Sequence, residues 1–198
     1  VERLEHLLKH GTDPGAAAGP TLKPGPAPED DDSTDALTTV DDPELAADIE
    51  QVALDQITAR IAEDFAGHGL ATLVTAILTA EGFLCAPSPP RPDGGIDITA
   101  GRGPLGLDSP RLLVQVKSGA QIGAPVVTQL HGVMTTHGAD QGLLVAWGGL
   151  SKPARDALKG QQLRVRVWEA ADVVDAVLRT YDRLPEDVRE QLPLRRVW

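Results

Sequence analysis

Three residues are of the types and spacing that could do chemistry: Asp97, Gln115 and Lys117. Asp97 interrupts Ile96-Asp97-Ile98-Thr99, where alternation places Ile96 and Ile98 on one face and Asp97 and Thr99 on the other. Gln115 and Lys117 interrupt the nearly continuous apolar run Leu112-Leu113-Val114-Gln115-Val116-Lys117. As a strand, this run sends Leu113, Gln115 and Lys117 to one side and Leu112, Val114 and Val116 to the other. Burying an amide without a partner costs roughly 2–7 kcal/mol, so the pattern calls for a partner or an open site. If the two strands are neighbours, a carboxylate, an amide oxygen and an ammonium converge at their ends, and two readings follow. In the first, Asp97, Gln115 and the backbone carbonyl of Val116 form a hard oxygen set suited to Mg²⁺. The cation would acidify a bound water and offset charge on a phosphate, with Lys117 orienting or helping to deprotonate that water. In the second, Asp97 and Lys117 form an ion pair at the sheet edge with no metal.

The elements that must position these residues are legible as changes of period. Pro43 follows an Asp42 N-cap, and Leu45, Ile49, Val52, Ile57 and Ile61 recur at helical spacing to about Phe65. After Gly67-His68-Gly69, Leu70, Leu73, Val74, Ile77 and Leu78 form a full apolar stripe that ends near Gly82. Strands follow at 83–86, 96–99 and 112–117, separated by a Pro/Gly loop (87–95) and a glycine-rich turn (101–110). Then come a helix at 125–137, a strand at 142–147 and a helix opened by Ser151 that runs to about Lys159. A strand at 163–168, a helix at 170–179 and a short helix at 185–191 complete the pattern. This order predicts an α/β core, a central mixed β-sheet flanked by helices on both faces.

The 198 residues suffice for one such core and a small extra element. Residues 1–12 read as the end of an upstream helix, with Leu4, Leu7 and Leu8 at helical spacing and Gly11 behind them. Residues 13–42 read as a Pro/Gly/Asp-rich linker, too poor in apolar groups to offset its ordering entropy. Residues 43–66 form a helix packing on the core, 67–180 the main domain, and 181–198 a tail with a short helix. The chain begins at Val1 rather than Met, so an upstream domain, or a partner reached through residues 1–42, is expected. The net charge of −11 is carried by residues 1–66, whose own balance is −12 against +1 for the remainder. The acidic total therefore does not argue against nucleic acid. A single cysteine, Cys85, excludes an internal disulfide framework and a four-cysteine zinc site. No run approaches the ~20 apolar residues of a membrane span, and no signal peptide stands at the start. A cytoplasmic protein without a membrane partner is expected.

Other positions could support the site. His68, at a helix start, could cap that helix or approach a phosphate. Asp93 lies in a glycine-rich loop where turn chemistry also explains an Asp. Ser118 follows Lys117, and Gln129 precedes the apolar Leu130 on the helix after the Lys117 strand. His131 and His137 lack partners at ligand spacing. Arg155, Lys159, Arg164 and Arg166 could contact phosphates or simply be solvated. With aromatics at 3% there is no stacking platform for single strands. The segment 101–106 joins two strands and opens no helix, so it is not a phosphate-cradling loop.

The stretch Pro92-Asp93-Gly94-Gly95-Ile96-Asp97-Ile98, followed by Val114-Gln115-Val116-Lys117-Ser118, resembles the catalytic domain of Mrr-type restriction endonucleases. These belong to the PD-(D/E)xK nuclease superfamily, in the branch where Gln replaces the middle acid. The resemblance continues through Gln129-Leu130-His131-Gly132-Val133, Gly142-Leu143-Leu144-Val145 and the helix of Ser151 and Ala154, covering about residues 67–178. It implies a restriction-endonuclease-like core and hydrolysis of phosphodiesters in double-stranded DNA. The cofactor would be Mg²⁺, with Mn²⁺ as a substitute, the role restriction of foreign or modified DNA in bacteria, and the assembly a homodimer. By position, Asp97 would be the metal-binding aspartate, Gln115 the second ligand, Val116 a carbonyl ligand and Lys117 the catalytic lysine. His68, Asp93, Ser118 and Gln129 would be supporting or DNA-contacting residues. One departure stands out. Many such domains carry a glutamate after an aromatic residue early in the preceding helix, and counting back from Gly82-Phe83 the matching pair is Leu70-Ala71. Without that acid, two alternatives stay open: a DNA-binding or oligomerisation module whose nuclease site has decayed, and a resolvase of branched DNA.

Overall fold

A computed structural model of the chain describes residues 43–88 and 95–194. The expected helix end at 1–12, the linker at 13–42, Asp93 and the last four residues lie outside the described residues. A five-stranded sheet forms the centre: β1 (Leu84–Pro87), β2 (Ile98–Arg102), β3 (Asp108–Lys117), β4 (Gln141–Ala146) and β5 (Val165–Trp168), in spatial order β1-β2-β3-β4-β5. The first three strands pair antiparallel, while β3, β4 and β5 run parallel, so the sheet is mixed. The parallel pairs need crossovers, supplied by α3 (Ala124–His137) and α4 (Lys152–Ala157). These two cover one face. The other is covered by α1 (Pro43–Asp64), α2 (His68–Ala80), α5 (Ala170–Thr180) and the short α6 (Glu186–Gln191).

The alternation of β3 divides the core as its sequence dictates. Leu112, Val114 and Val116 are buried with Leu70, Leu73 and Ile77 of α2 and Val173 and Val177 of α5, whereas Leu113 is buried with Val127, Leu130 and Met134 of α3. The expected apolar stripe of α2 is buried throughout. Ser151 caps α4 by accepting the Ala154 N–H, and Glu169 and Asp172 close a reciprocal capping box on α5. Leu184, Val188 and Leu192 are buried, and the Tyr181 hydroxyl donates to the Leu192 carbonyl (2.7 Å) and accepts from the Leu194 N–H (2.8 Å), which pins the segment after α5. Among the described residues no single helix is long and apolar enough to cross a membrane.

Two local expectations change. Among the described side chains of α1, Leu54, Ile57 and Ile61, with Phe65 just beyond the helix, pack on the core, while Ile49 and Val52 are 54% and 55% exposed. Val52 stands nine residues before Ile61, half a turn out of phase at 3.6 residues per turn, so the apolar positions never shared one face. In the second case, Ile96 and Ile98 do not share a face. Strand pairing begins at Ile98, which is fully buried against the α2 side, while Ile96 precedes the ladder and packs against the α3 side. At Asp97 the main chain still bonds Val114 and Ser88, and the carboxylate takes the Val116 N–H.

The far end of β3 is tied to the turn before β4 by Asp140. Its carboxylate accepts from the Ser109 hydroxyl (2.8 Å), the Arg111 N–H (2.8 Å) and the Arg111 guanidinium (3.1 Å). The hydrogen bonds from Arg111, side chain first and backbone second, and then that from Ser109 hold the Asp140 carboxyl well below the usual carboxylate range. A group so depressed stabilises the fold fully above its unfolded value of about 3.9, and loses that contribution as pH falls through the folded value. Asp140→Asn is therefore expected to lower stability in urea denaturation at pH 7, with the gap to the parent narrowing as pH drops below about 4. A gap that stays constant from neutral pH into that range would contradict this role of the carboxylate.

Candidate active site

Asp97 is fixed by three hydrogen bonds. Its N–H donates to the Val114 carbonyl (2.9 Å), its carbonyl accepts from Ser88 N–H (2.8 Å), and its carboxylate Oδ2 accepts from Val116 N–H (2.7 Å). Asp97 thus brackets Gln115, bonding the residue before it through the main chain and the residue after it through the side chain. Oδ1 has no hydrogen-bond partner among the described residues.

Gln115 is 1% exposed, and neither atom of its amide has a hydrogen-bond partner among the described residues. The amide lies against Gly95. A Cβ on Gly95 would come within 2.5 Å of Gln115 Nε2 and 3.6 Å of Gln129 Nε2. Gly95 also has φ +79°, a conformation that L side chains rarely adopt. A glycine is required there twice over, by the backbone and by the amide packed on it. Leaving a buried amide unsatisfied costs about 1–3 kcal/mol, and such a group calls for a specific explanation.

Asp97, Val116, Lys117, Ser118 and His68 line one cavity of about 510 Å³. It lies where β3 ends, between the first turns of α2 and α3, at the carboxyl end of the parallel strands where ligands of open α/β sheets bind. The loop after β3 closes one side, held close because Gly148 has no side chain. A Cβ there would sit 2.3 Å from the Gly119 carbonyl oxygen. The Lys117 ammonium is in no ion pair among the described residues, so the expected alternative, an Asp97–Lys117 pair, is not formed. The first turns of α2 and α3 carry no acid, and their N-terminal N–H groups add partial positive charge at the cavity. Among the described residues Asp97 is the sole acid lining it.

The sequence-derived residues thus separate. Asp97, Val116, Lys117, Ser118 and His68 share the cavity. Gln115 lies beside Asp97 but outside the lining, and Gln129 is exposed on α3, near Gly95. His68 does not cap α2: Gly67 holds the N-cap position and no side chain caps it. Ala71 also lines the cavity, so the helix position matched to the missing acid does face the site, and presents only a methyl. The loop after β3 (119–123) was missed by sequence reasoning, since only the tertiary approach of Gly148 brings it to the cavity. No three His, Cys, Asp or Glu side chains cluster as a metal site among the described residues. The donors beside Asp97 are oxygens of other kinds, the Gln115 amide and main-chain carbonyls. A hard divalent cation fits this chemistry: it would take the carboxylate and satisfy the orphaned amide oxygen.

A sequence model for restriction endonuclease catalytic domains, Mrr_cat, matches residues 62–177, taking in the end of α1 as well as the expected span. Among solved structures, the DNA modification-dependent restriction endonuclease AspBHI superposes with a TM-score of 0.51 at 18% identity, over 96% of this chain and 47% of that one. The MspJI restriction endonuclease, solved in complex with a 27-mer oligonucleotide, gives a TM-score of 0.47 at 18% identity, over 73% of this chain and 36% of that one. The chain thus spans less than half the length of either. AspBHI supports the same fold. No curated protein sequence matches.

Gly95→Ala should destabilise the fold by about 1–2 kcal/mol, the penalty of a left-handed non-glycine residue, and should push the Gln115 amide from its place. Chemical denaturation reads the first effect. Weaker binding of Mn²⁺, in calorimetry on the still-folded variant, reads the second. Unchanged Mn²⁺ affinity would show that the amide's position is immaterial to the site.

Proposed function

The chain belongs to the restriction endonuclease family, and from that premise we propose that it hydrolyses phosphodiester bonds in double-stranded DNA with the help of a divalent metal, Mg²⁺ or Mn²⁺. The observation that carries this reading is Asp97 bracketing a buried, unsatisfied Gln115 beside a cavity that holds an unpaired Lys117. Asp97, the Gln115 amide oxygen and the Val116 carbonyl would hold the cation. Bound there, it would supply charge for the phosphate and a more acidic water.

The chain's own residues do the rest. A DNA phosphate entering the cavity meets the N–H groups opening α2 and α3, which favour an anion without a basic surface. The Lys117 ammonium offers three donors in the same cavity. It can orient water in line with the phosphorus and offset the negative charge that grows on the phosphoryl oxygens as the P–O bond breaks. Asp97 is held in place as the partner of Val116 N–H, and the loop after β3 lines the cavity beside Lys117. Two copies of this single site, in a homodimer, suit the cutting of two strands, and the family match supports a role in restricting foreign or modified DNA.

Ala71 favours a second reading, a DNA-binding module with a decayed site, because it leaves Asp97 as the sole carboxylate of the cavity among the described residues. Cleavage of methylated, unmethylated and branched DNA in Mg²⁺ or Mn²⁺ separates the two. The parent chain is expected to cut, and Lys117→Ala and Asp97→Ala each to lose roughly 10²–10³-fold in rate with DNA binding retained by Lys117→Ala. No cutting by the parent on any substrate, with DNA binding intact, would favour the decayed site.

A further inference from the structure

A second cavity, of about 520 Å³, adjoins the first on the other side of Asp97 and runs along the threonines of α2. Three residues line both cavities: His68, Ala71 and Asp97. They form the ridge where the two meet, and His68 and Ala71 lie three residues apart on the same helix face. Ala71 contributes no polar atom. Asp97 spends one carboxylate oxygen on Val116 N–H. His68 is exposed, and its imidazole makes no hydrogen bond or ion pair among the described residues. Gly67 already holds the cap position, so the imidazole is not engaged at the start of α2. The helix therefore places one uncommitted donor on both cavities that Asp97 lines, one turn before a position that has none.

We propose that His68 is a ligand of the divalent ion at Asp97, supplying an imidazole nitrogen to a donor set otherwise made of oxygens. The inference rests on the metal-dependent reading above and adds a consequence for metal choice. Oxygen ligands suit Mg²⁺ and Mn²⁺, whereas imidazole suits later transition ions, whose affinity for a mixed site rises through Co²⁺ and Ni²⁺. The site should therefore prefer Co²⁺ to Mg²⁺, and His68 should set that preference. The small Ala71 leaves room on the ridge for the ring.

Co²⁺ reports its own surroundings through visible ligand-field absorption, so the test does not depend on turnover. The untagged full chain is titrated with Co²⁺, followed by absorption and calorimetry, and then competed with Mg²⁺. His68→Ala, His68→Glu and Asp97→Ala are treated alike, with circular dichroism confirming that each is folded. His68→Ala is expected to lower Co²⁺ affinity at least about tenfold, or ~1.4 kcal/mol, with a much smaller change for Mg²⁺. His68→Glu should move the preference toward Mg²⁺. If His68→Ala binds Co²⁺ with the parent's affinity and spectrum while Asp97→Ala does not, His68 is not a ligand and the inference falls alone. If Asp97→Ala also binds as the parent does, the metal site at Asp97 falls with it.

Discussion

The pair of hydrogen bonds by which Asp97 brackets Gln115 is the constraint on which the rest of the site depends. One runs from the Asp97 N–H to the Val114 carbonyl, the other from the Val116 N–H to the Asp97 carboxylate. Together they join the residue before β2 to the end of β3 and leave the second carboxylate oxygen without a hydrogen-bond partner among the described residues. They also enclose Gln115, whose amide is packed on Gly95 with neither atom satisfied. A fold selected for stability alone would place an apolar side chain there, as at Leu113 on the same face. The unsatisfied amide makes physical sense as a ligand whose partner arrives from outside.

Around that centre the fold gathers the first turns of two helices and one lysine. The formal charge of −11 is carried by residues 1–66, and the remainder is close to neutral at +1. At the cavity, backbone dipoles at two acid-free helix starts and an ammonium with no ion pair among the described residues add positive charge beside Asp97. Attraction built from N–H groups and a single lysine acts over short distances, which suits a site that handles one phosphate at a time. The parallel arrangement of β3 and β4 supplies this geometry, since the crossover helix α3 must begin near the carboxyl ends of the strands.

Much of this was legible in the sequence because it is written as period. The α2 stripe, the two faces of β3 and the capped start of α4 follow from local spacing, and they placed Asp97 and Lys117 at neighbouring strand ends. Local spacing failed where a distant group decides. Nothing near Ile96 shows that Asp97 will bond Val116, so the apparent alternation misled. Ile49 and Val52 matched helical spacing loosely, yet their phase differs from that of Leu54, Ile57 and Ile61. The Asp140 clamp joins residues 29 positions apart and leaves no periodic trace. Gln115 was correctly singled out as polar on a buried strand, but its seat under Gly95 depends on the loop that precedes Asp97.

The most direct test of the metal site is a crystal of the chain soaked in Mn²⁺, read by anomalous scattering. A peak within bonding distance of the Asp97 carboxylate, with the Gln115 amide oxygen turned onto it, is the result expected if the orphaned amide is a ligand. Full occupancy of an ion elsewhere, with the Gln115 amide still lying against Gly95, would contradict it.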